Sequence, residues 1–248
     1  MKTILITGCS SGFGHETALY FLERGWKVIA TMRNPRADLF PASNHLRLLP
    51  LDVSNEASIR QAIAEAGEID VLVNNAGIGM LGALEDTPVS TAREVFETNT
   101  LGTIAMTQAV LPQFRARKSG TVINVTSTVT LRPFPLLAVY TASKAAVNAF
   151  TESLALELQP FNVTVRLVLP GLAPSTDFGK NARSRMEHTR LEPYQPLMES
   201  VMSAMQQPQP TTHATDVAKA IWHAATDPSA PLRLPAGEDA IALARQLS

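Results

Sequence analysis

The strongest constraint on the fold of this chain is an alternation: short, apolar, β-branched runs recur between longer stretches of helical character. The runs are Thr3–Thr7, Val28–Thr31, Leu46–Pro50, Val71–Val73, Thr121–Thr126 and Val163–Leu169. Strands apolar on both faces and separated by helices belong to a parallel sheet covered on each side. A doubly wound α/β fold is therefore expected. With 248 residues, 45% of them hydrophobic, the chain can bury one large core, so a single domain over 1–248 is expected. The pattern breaks between about 174 and 210, where Pro193, Pro196, Pro208 and Pro210 bracket Met186, Met198, Met202 and Met205. That stretch reads as an insertion forming a lid over the site. A helix from Ala214 to Thr226, a short apolar run at Leu232–Leu234 and a last helix from Glu238 complete the chain.

Charge and cysteine usage narrow the classes of partner. Twenty-one basic residues against twenty-two acidic ones leave a net charge of −1, without bulk attraction to nucleic acid or anionic membrane, so a small molecule is the expected partner. The single cysteine, Cys9, excludes an internal disulfide and a multi-cysteine metal site, and fits a reducing compartment, the cytoplasm. The apolar run before Gly8 is too short for a signal-peptide core, and no run approaches a membrane span. His15, His45, His188, His213 and His223 lack metal-ligand or triad spacing, so no metal site is expected.

In open α/β sheets ligands bind beyond the carboxyl ends of the strands. Here those ends run into Gly8-Cys9-Ser10-Ser11-Gly12-Phe13-Gly14, Asp52, Asn74-Asn75-Ala76-Gly77, Ser127 and Pro170-Gly171. Glycines in the first loop let backbone approach a pyrophosphate, and a helix starting near Phe13 offers free N–H groups and its positive dipole end. These loops point to dinucleotide binding on a Rossmann-type fold. Cofactor choice is written after the second strand, where Thr31-Met32-Arg33 carries no carboxylate. Arg33 could form a charge-assisted fork to a 2′-phosphate, with Thr31 or Asn34 adding a hydrogen bond, so NADP(H) is the expected cofactor.

Ser127 is followed thirteen residues later by Tyr140, with Lys144 one helical turn beyond in Tyr140-Thr141-Ala142-Ser143-Lys144. The i,i+4 spacing places phenol and ammonium on one helix face, where the cation could stabilise the phenolate and draw the tyrosine pKa down from about 10. A phenol so tuned could shuttle a proton. In ketone reduction the nicotinamide would deliver hydride to the carbonyl carbon, Tyr140 would protonate the oxygen and Ser127 would donate a hydrogen bond to it.

Together these motifs, in this order, resemble the short-chain dehydrogenase/reductases over almost the whole chain. The resemblance implies an NADP-preferring oxidoreductase acting on CH–OH groups, similar to ketoreductases and hydroxysteroid dehydrogenases. It implies that Asn99 completes an Asn-Ser-Tyr-Lys tetrad by holding a water next to Lys144, and that Lys144 also binds the nicotinamide ribose. By the same resemblance Asp52, with Val53 beside it, contacts the adenine. Asn75 steadies the central sheet, and Ser11 and Phe13 line the cofactor loop. Ser10, Gly12, Gly14, Ala76, Gly77, Pro170 and Gly171 fall within the same binding motifs. One departure lies after Pro170-Gly171, where Ser175 and Thr176 both offer a hydroxyl to the nicotinamide carboxamide. Another is the ending Leu234-Pro235-Ala236-Gly237-Glu238-Asp239-Ala240, which lacks the glycine-rich close of tetrameric members. It implies a homo-oligomer, a dimer rather than a tetramer.

Substrate choice is expected in Thr128–Val139 and in 178–205. Phe134, Leu136, Leu137, Phe178, Tyr194, Leu197, Met198 and Met202 could wall a pocket for an apolar ketone. Lys180, Arg183, Arg185 and Arg190 read as a solvated basic face. Two rival readings keep the same scaffold: a redox sensor that binds NADP(H) without turnover, and a dehydratase or epimerase without net redox change.

Overall fold

A computed structural model describes residues 1–176 and 191–247. Seven strands form one sheet: β1 (Thr3–Ile6), β2 (Lys27–Met32), β3 (Leu46–Pro50), β4 (Val71–Asn74), β5 (Gly120–Val125), β6 (Val163–Pro170) and β7 (Arg233–Ala236). The order is β3-β2-β1-β4-β5-β6-β7, with every neighbouring pair parallel. Parallel strands need crossovers, and helices supply most of them. The α-helices among the described residues are α1 (Gly12–Glu23), α2 (Glu56–Ala66), α3 (Val89–Phe96), α4 (Gly102–Arg117), α5 (Ala138–Leu158), α6 (Gln195–Gln206), α7 (Ala214–Thr226) and α8 (Glu238–Leu247), the last following β7. The result is a doubly wound, Rossmann-type single domain. The chain runs outward from β1 to β3, then returns to lay β4 against β1, pairing Ile4 with Val71 and Ile6 with Val73. That reversal sets the loops after β1 and β4 side by side, at the topological switch point.

Strand alternation builds a core on each face of the sheet. Ile4, Ile6, Val71, Val73, Ile123 and Val125 point to one side, where they meet Ala18 and Phe21 of α1 and Val217, Ile221 and Ala224 of α7. Leu5, Leu72, Val122 and Val165 point to the other, against Ile59 and Ala62 of α2, Met106, Val110 and Phe114 of α4 and Leu154 of α5. Each such aliphatic side chain, removed from water, contributes about 1.5–3 kcal/mol. This two-sided burial is why the strands read as nearly continuous apolar runs.

A polar strip crosses the second face toward the carboxyl ends of β4 and β5. The Asn74 amide donates to Asn124 Oδ1 at 2.8 Å and to Thr107 Oγ1 at 3.0 Å. The Asn124 amide donates to Thr151 Oγ1 at 2.8 Å. These buried bonds tie β4 and β5 to α4 and α5, and they fix the strands' register next to the site. Between α3 and α4 the helix widens to a π turn over Glu97–Leu101 with Asn99 at its centre, and such turns commonly re-aim a side chain.

Candidate active site

At the carboxyl edge, the loop after β1 is held by the turn after β4. The buried Thr7 hydroxyl accepts from the backbone N–H groups of Asn75 at 3.0 Å and Ala76 at 2.9 Å. The Asn75 amide donates back to the carbonyls of Thr7 at 2.9 Å and Gly8 at 3.2 Å. This reciprocal lacing leaves no space for side chains. A Cβ on Gly8 would lie 2.9 Å from Ala76 Cα, and one on Gly14 2.4 Å from Gly8 O. Gly8 also has φ +74, a backbone region that strains other residues. The Ser11 hydroxyl precedes α1 without capping it, and the first turn of α1 holds no acid, so this N-terminus suits an anion. Ser10 is exposed and Gly12 half-buried, while the Phe13 ring packs against the core of the first face. Cys9 is fully buried beside Ile6 O, and burial pushes its thiol up to about 12, so it acts as an inert filler.

Arg33 is exposed one residue beyond β2. Its charge reaches Asp52, whose carboxyl is held below the usual range first by the Ser54 hydroxyl at 2.7 Å and to a smaller degree by Arg33. The expectation that Thr31 could assist Arg33 is corrected. Thr31 is fully buried and its hydroxyl donates to Ile6 O at 3.0 Å, inside the sheet. Asn34 stays exposed beside Arg33. Val53 is buried against α4, where a Cβ on Gly102 would stand 2.9 Å from Val53 Cγ2.

Asn99, Ser127, Tyr140 and Lys144 converge in the interior, each under a tenth exposed. Ser127 follows β5, caps the short turn Thr128–Thr130 and hydrogen-bonds Tyr140. Its turn is braced by Asn148 of α5, whose amide donates to Thr130 Oγ1 at 2.9 Å. The Lys144 ammonium donates to the Val125 carbonyl at 3.0 Å. Asn99 Oδ1 accepts from Ile78 N–H at 2.8 Å, and its amide donates to Ile78 O at 3.0 Å and Ser143 Oγ at 3.1 Å. A Cβ on Gly77 would stand 3.2 Å from Asn99 Oδ1 and 3.3 Å from Lys144 Nζ, so both side-chain ends close on the same point beside that glycine.

One electrostatic expectation is reversed. Burial raises the Tyr140 phenol well above its ordinary value, and the Ser127 hydrogen bond offsets only part of that. Lys144 is itself lowered to about 8 by burial. The two residues lie one helical turn apart, but dehydration sets the direction of the phenol's shift, and the Lys144 Nζ is turned to the Val125 carbonyl.

Tyr140 shares the lining of a narrow, mainly apolar cleft with Met80, Leu84, Thr87, Leu136, Leu137 and Val139, among others. Leu136 and Leu137 were legible as wall residues; Met80, Leu84 and Thr87, from the segment after β4, carried no signal. Phe134 stacks with Arg132, and Tyr194 donates to Glu85 at 3.0 Å. Leu197, Met198 and Met202 lie on α6, exposed or half-buried. Pro170 is buried and Gly171 half-buried. Ser175 is exposed, whereas Thr176 stands 3.5 Å from where a Gly12 Cβ would be. Phe178, Lys180, Arg183, Arg185, Met186, His188 and Arg190 lie outside the described residues.

Sequence reasoning gave no role to Ser143, which bridges Asn99 to the Tyr140 carbonyl at 2.7 Å. It also missed Thr212 and Asp239, which grip the loop after β6. Among the described residues no helix is long and apolar enough to cross a membrane, and no group of three or more His, Cys, Asp or Glu could hold a metal ion.

Fold and edge geometry together define a Rossmann-type protein with its polar side chains gathered around one buried tyrosine. A family model described as short chain dehydrogenase matches residues 2–187. The chain belongs to this short-chain dehydrogenase family of oxidoreductases. It is 44% identical over 177 residues to a 3-ketodihydrosphingosine reductase of Bacteroides thetaiotaomicron, covering 68% of this chain and 63% of the relative. It is 38% identical over 182 residues to retinol dehydrogenase 8 of Bos taurus, covering 68% and 58%. The match thus spans less than two thirds of either relative's length. Among solved structures, a short-chain dehydrogenase from Streptomyces avermitilis superposes with TM-score 0.86 at 33% identity, over 99% of this chain and 91% of that one. A serine dehydrogenase complexed with NADP+ superposes with TM-score 0.82 at 29% identity, over 96% and 95%. A short-chain dehydrogenase/reductase from Burkholderia phymatum in complex with NAD gives TM-score 0.81 at 25% identity, over 98% and 92%.

Proposed function

We propose that the protein interconverts an apolar ketone and a secondary alcohol with NADP(H), Tyr140 being the acid/base. The observation that carries this is the buried Tyr140, hydrogen-bonded to Ser127, with Lys144 one turn along and an apolar cleft beside the phenol. The edge fits a dinucleotide: Gly8 and Gly14 let the loop after β1 pack flush against the turn after β4, with backbone and no side chain at these two positions, and the start of α1 beside it is uncapped. Gly8 through Gly14 would hold the pyrophosphate, Arg33 and Asn34 the 2′-phosphate, and Asp52 and Val53 the adenine. Asn75, Ala76 and Gly77 would shape the floor. Lys144 would bind the ribose hydroxyls, and Ser175 or Thr176, after Pro170-Gly171, the carboxamide.

When bound, NADP(H) supplies or accepts the hydride. The chain's own part is proton management. Burial keeps Tyr140 a neutral phenol, the form that can hand a proton to a carbonyl oxygen held by the Ser127 hydroxyl. Lys144, lowered to about 8, is mostly an ammonium at neutral pH and can stabilise the phenolate left behind. Asn99, whose Oδ1 lies against Gly77 close to Lys144 Nζ, would hold a water through which that proton is replaced.

The substrate is proposed to be a long apolar ketone or alcohol. The cleft walls are mostly leucine, methionine, valine and alanine, with Thr87 and Tyr140 as polar members, and the relatives named above are called a 3-ketodihydrosphingosine reductase and a retinol dehydrogenase. The test follows absorbance of NADPH, and separately NADH, with a series of long-chain ketones and their alcohols. Consumption of NADPH that Tyr140→Phe abolishes supports the reading. Tight NADPH binding without turnover of any ketone or alcohol would sink it in favour of a sensor.

A further inference from the structure

The loop after β6 is fastened to the beginning of the last helix. The Leu172 N–H donates to Asp239 Oδ2 at 2.6 Å, and the Thr212 hydroxyl lies 2.7 Å from Asp239 Oδ1. Thr212, fully buried, accepts from the Gly171 N–H at 2.9 Å, and its own N–H donates to Leu172 O at 2.7 Å. An acid in the first turn of a helix ordinarily serves that helix's own N–H groups and dipole. Asp239 instead spends both oxygens on groups outside α8. The approach is close enough to dictate its neighbours. A Cβ on Gly171 would fall 2.0 Å from Asp239 Oδ2, and one on Gly237 2.1 Å from Thr212 Oγ1.

We propose that Asp239 is a positioning residue for the nicotinamide end of the cofactor, acting through Thr212 and Leu172 on the loop Pro170–Thr176. The proposal rests on the cofactor reading given above, which places the carboxamide against Ser175 or Thr176, and extends the site to a residue near the end of the chain. The Thr176 side chain stands against Gly12 of the phosphate loop. A loop released at Leu172 would therefore lose its place relative to that cradle.

Hydrogen-bond counting distinguishes fastening from a need for charge. The Thr212 hydroxyl has a single proton and two acceptors in reach, Asp239 Oδ1 at 2.7 Å and Ala236 O at 2.9 Å. With Asp239→Asn the amide oxygen still accepts from Leu172, and the amide nitrogen donates to Thr212 Oγ1, which turns its proton to Ala236 O. All partners stay satisfied. Asp239→Ala leaves the Leu172 N–H without its acceptor, while the Thr212 hydroxyl keeps only Ala236 O to donate to.

The experiment titrates the wild type, Asp239→Ala, Asp239→Asn and Thr212→Val with NADPH, and by calorimetry with adenosine 2′,5′-bisphosphate, which carries the adenine half and no nicotinamide. Loss of one to two bonds at the loop is expected to weaken NADPH about tenfold in Asp239→Ala and Thr212→Val. The bisphosphate is expected to bind all four alike, and Asp239→Asn to keep wild-type affinity for NADPH. Equal NADPH affinity in Asp239→Ala and wild type overturns the proposal, as does a parallel loss of both ligands, which marks a merely structural role. An Asp239→Asn protein as weak as Asp239→Ala overturns the fastening account. Wild-type protein that binds neither ligand refutes the cofactor reading itself. Should Asp239→Ala fail to fold, Thr212→Val, close to the native volume, carries the same comparison.

Discussion

Asn99 clasps the backbone of Ile78 from both directions, accepting from its N–H at 2.8 Å and donating to its carbonyl at 3.0 Å. A buried amide so placed is hard to replace. Asn99→Ala strands the Ile78 groups and the Ser143 hydroxyl, and is expected to cost about 3 kcal/mol in urea denaturation. Asn99→Asp keeps the acceptor but loses both donor bonds and buries a carboxylate next to Lys144. Turnover is expected to fall by about a hundredfold. Retention of full activity in Asn99→Asp would remove Asn99 from the site.

Lys144 titrates inside the working range. Its value falls from 10.5 unfolded to about 8 folded, so between those limits the unfolded chain holds a proton that the folded chain has released. Stability from this residue therefore rises with pH across that window and is penalised below it. Tyr140, raised above its ordinary 10.0, acts oppositely, and stability falls once the unfolded phenol ionises. Urea midpoints measured from about pH 7 to about pH 10 should climb in the wild type and stay flatter in Lys144→Met.

The same residue is expected to set the pH profile of the proposed activity. Ketone reduction that needs the ammonium should lose kcat/KM above about pH 8, by roughly tenfold per pH unit for one proton. Tyr140 contributes no break in this range, because burial carries it upward. A profile flat to about pH 9.5 would show that the ammonium is dispensable.

Gly14 tests the cradle by volume alone. A methyl group there would stand 2.4 Å from Gly8 O and 2.5 Å from the Asn75 amide nitrogen, both fixed by the lacing of the two loops. Gly14→Ala is expected to destabilise by about 1–3 kcal/mol and to weaken dinucleotide binding more than tenfold. Thermal shifts with and without NADPH would reveal both effects.

Arg33 is expected to decide between cofactors. Exposed beside Asn34 and within the field of Asp52, it offers a two-pronged donor to a phosphate and nothing of comparable strength to a ribose hydroxyl. Arg33→Asp should weaken NADPH by about a hundredfold and leave NADH unchanged or tighter. An unaltered preference would place the determinant elsewhere.

Much of the architecture was legible because it is periodic. Leu46–Pro50 and Ala214–Thr226 fall where the apolar pattern puts them, and β6 runs a single residue past its expected end. The candidate catalytic residues were legible for a different reason. Ser127, Tyr140 and Lys144 lie within 18 residues of one another, around one strand end and one helix. What escaped was long-range or three-dimensional. Asp239 meets Leu172 across 67 positions between loop and helix, where periodicity has no reach. The widened turn at Asn99 interrupts no hydrophobic repeat. Thr31 looked available because a strand end says nothing about which way its last hydroxyl turns. The phenol's upward shift depends on exclusion of water, a quantity that spacing does not encode.

Because every strand points the same way, the sheet has two rims of unlike character. The carboxyl rim carries all the candidate chemistry, whereas the turns of the amino rim face open space around Gly25 and Gly67, whose φ of +76 and +74 keeps those two positions themselves for glycine. Mutational drift can therefore proceed independently at the two ends. The amino rim is the place to attach a fluorophore, a surface tether or an inserted peptide, with the whole thickness of the sheet insulating the reacting groups from the alteration.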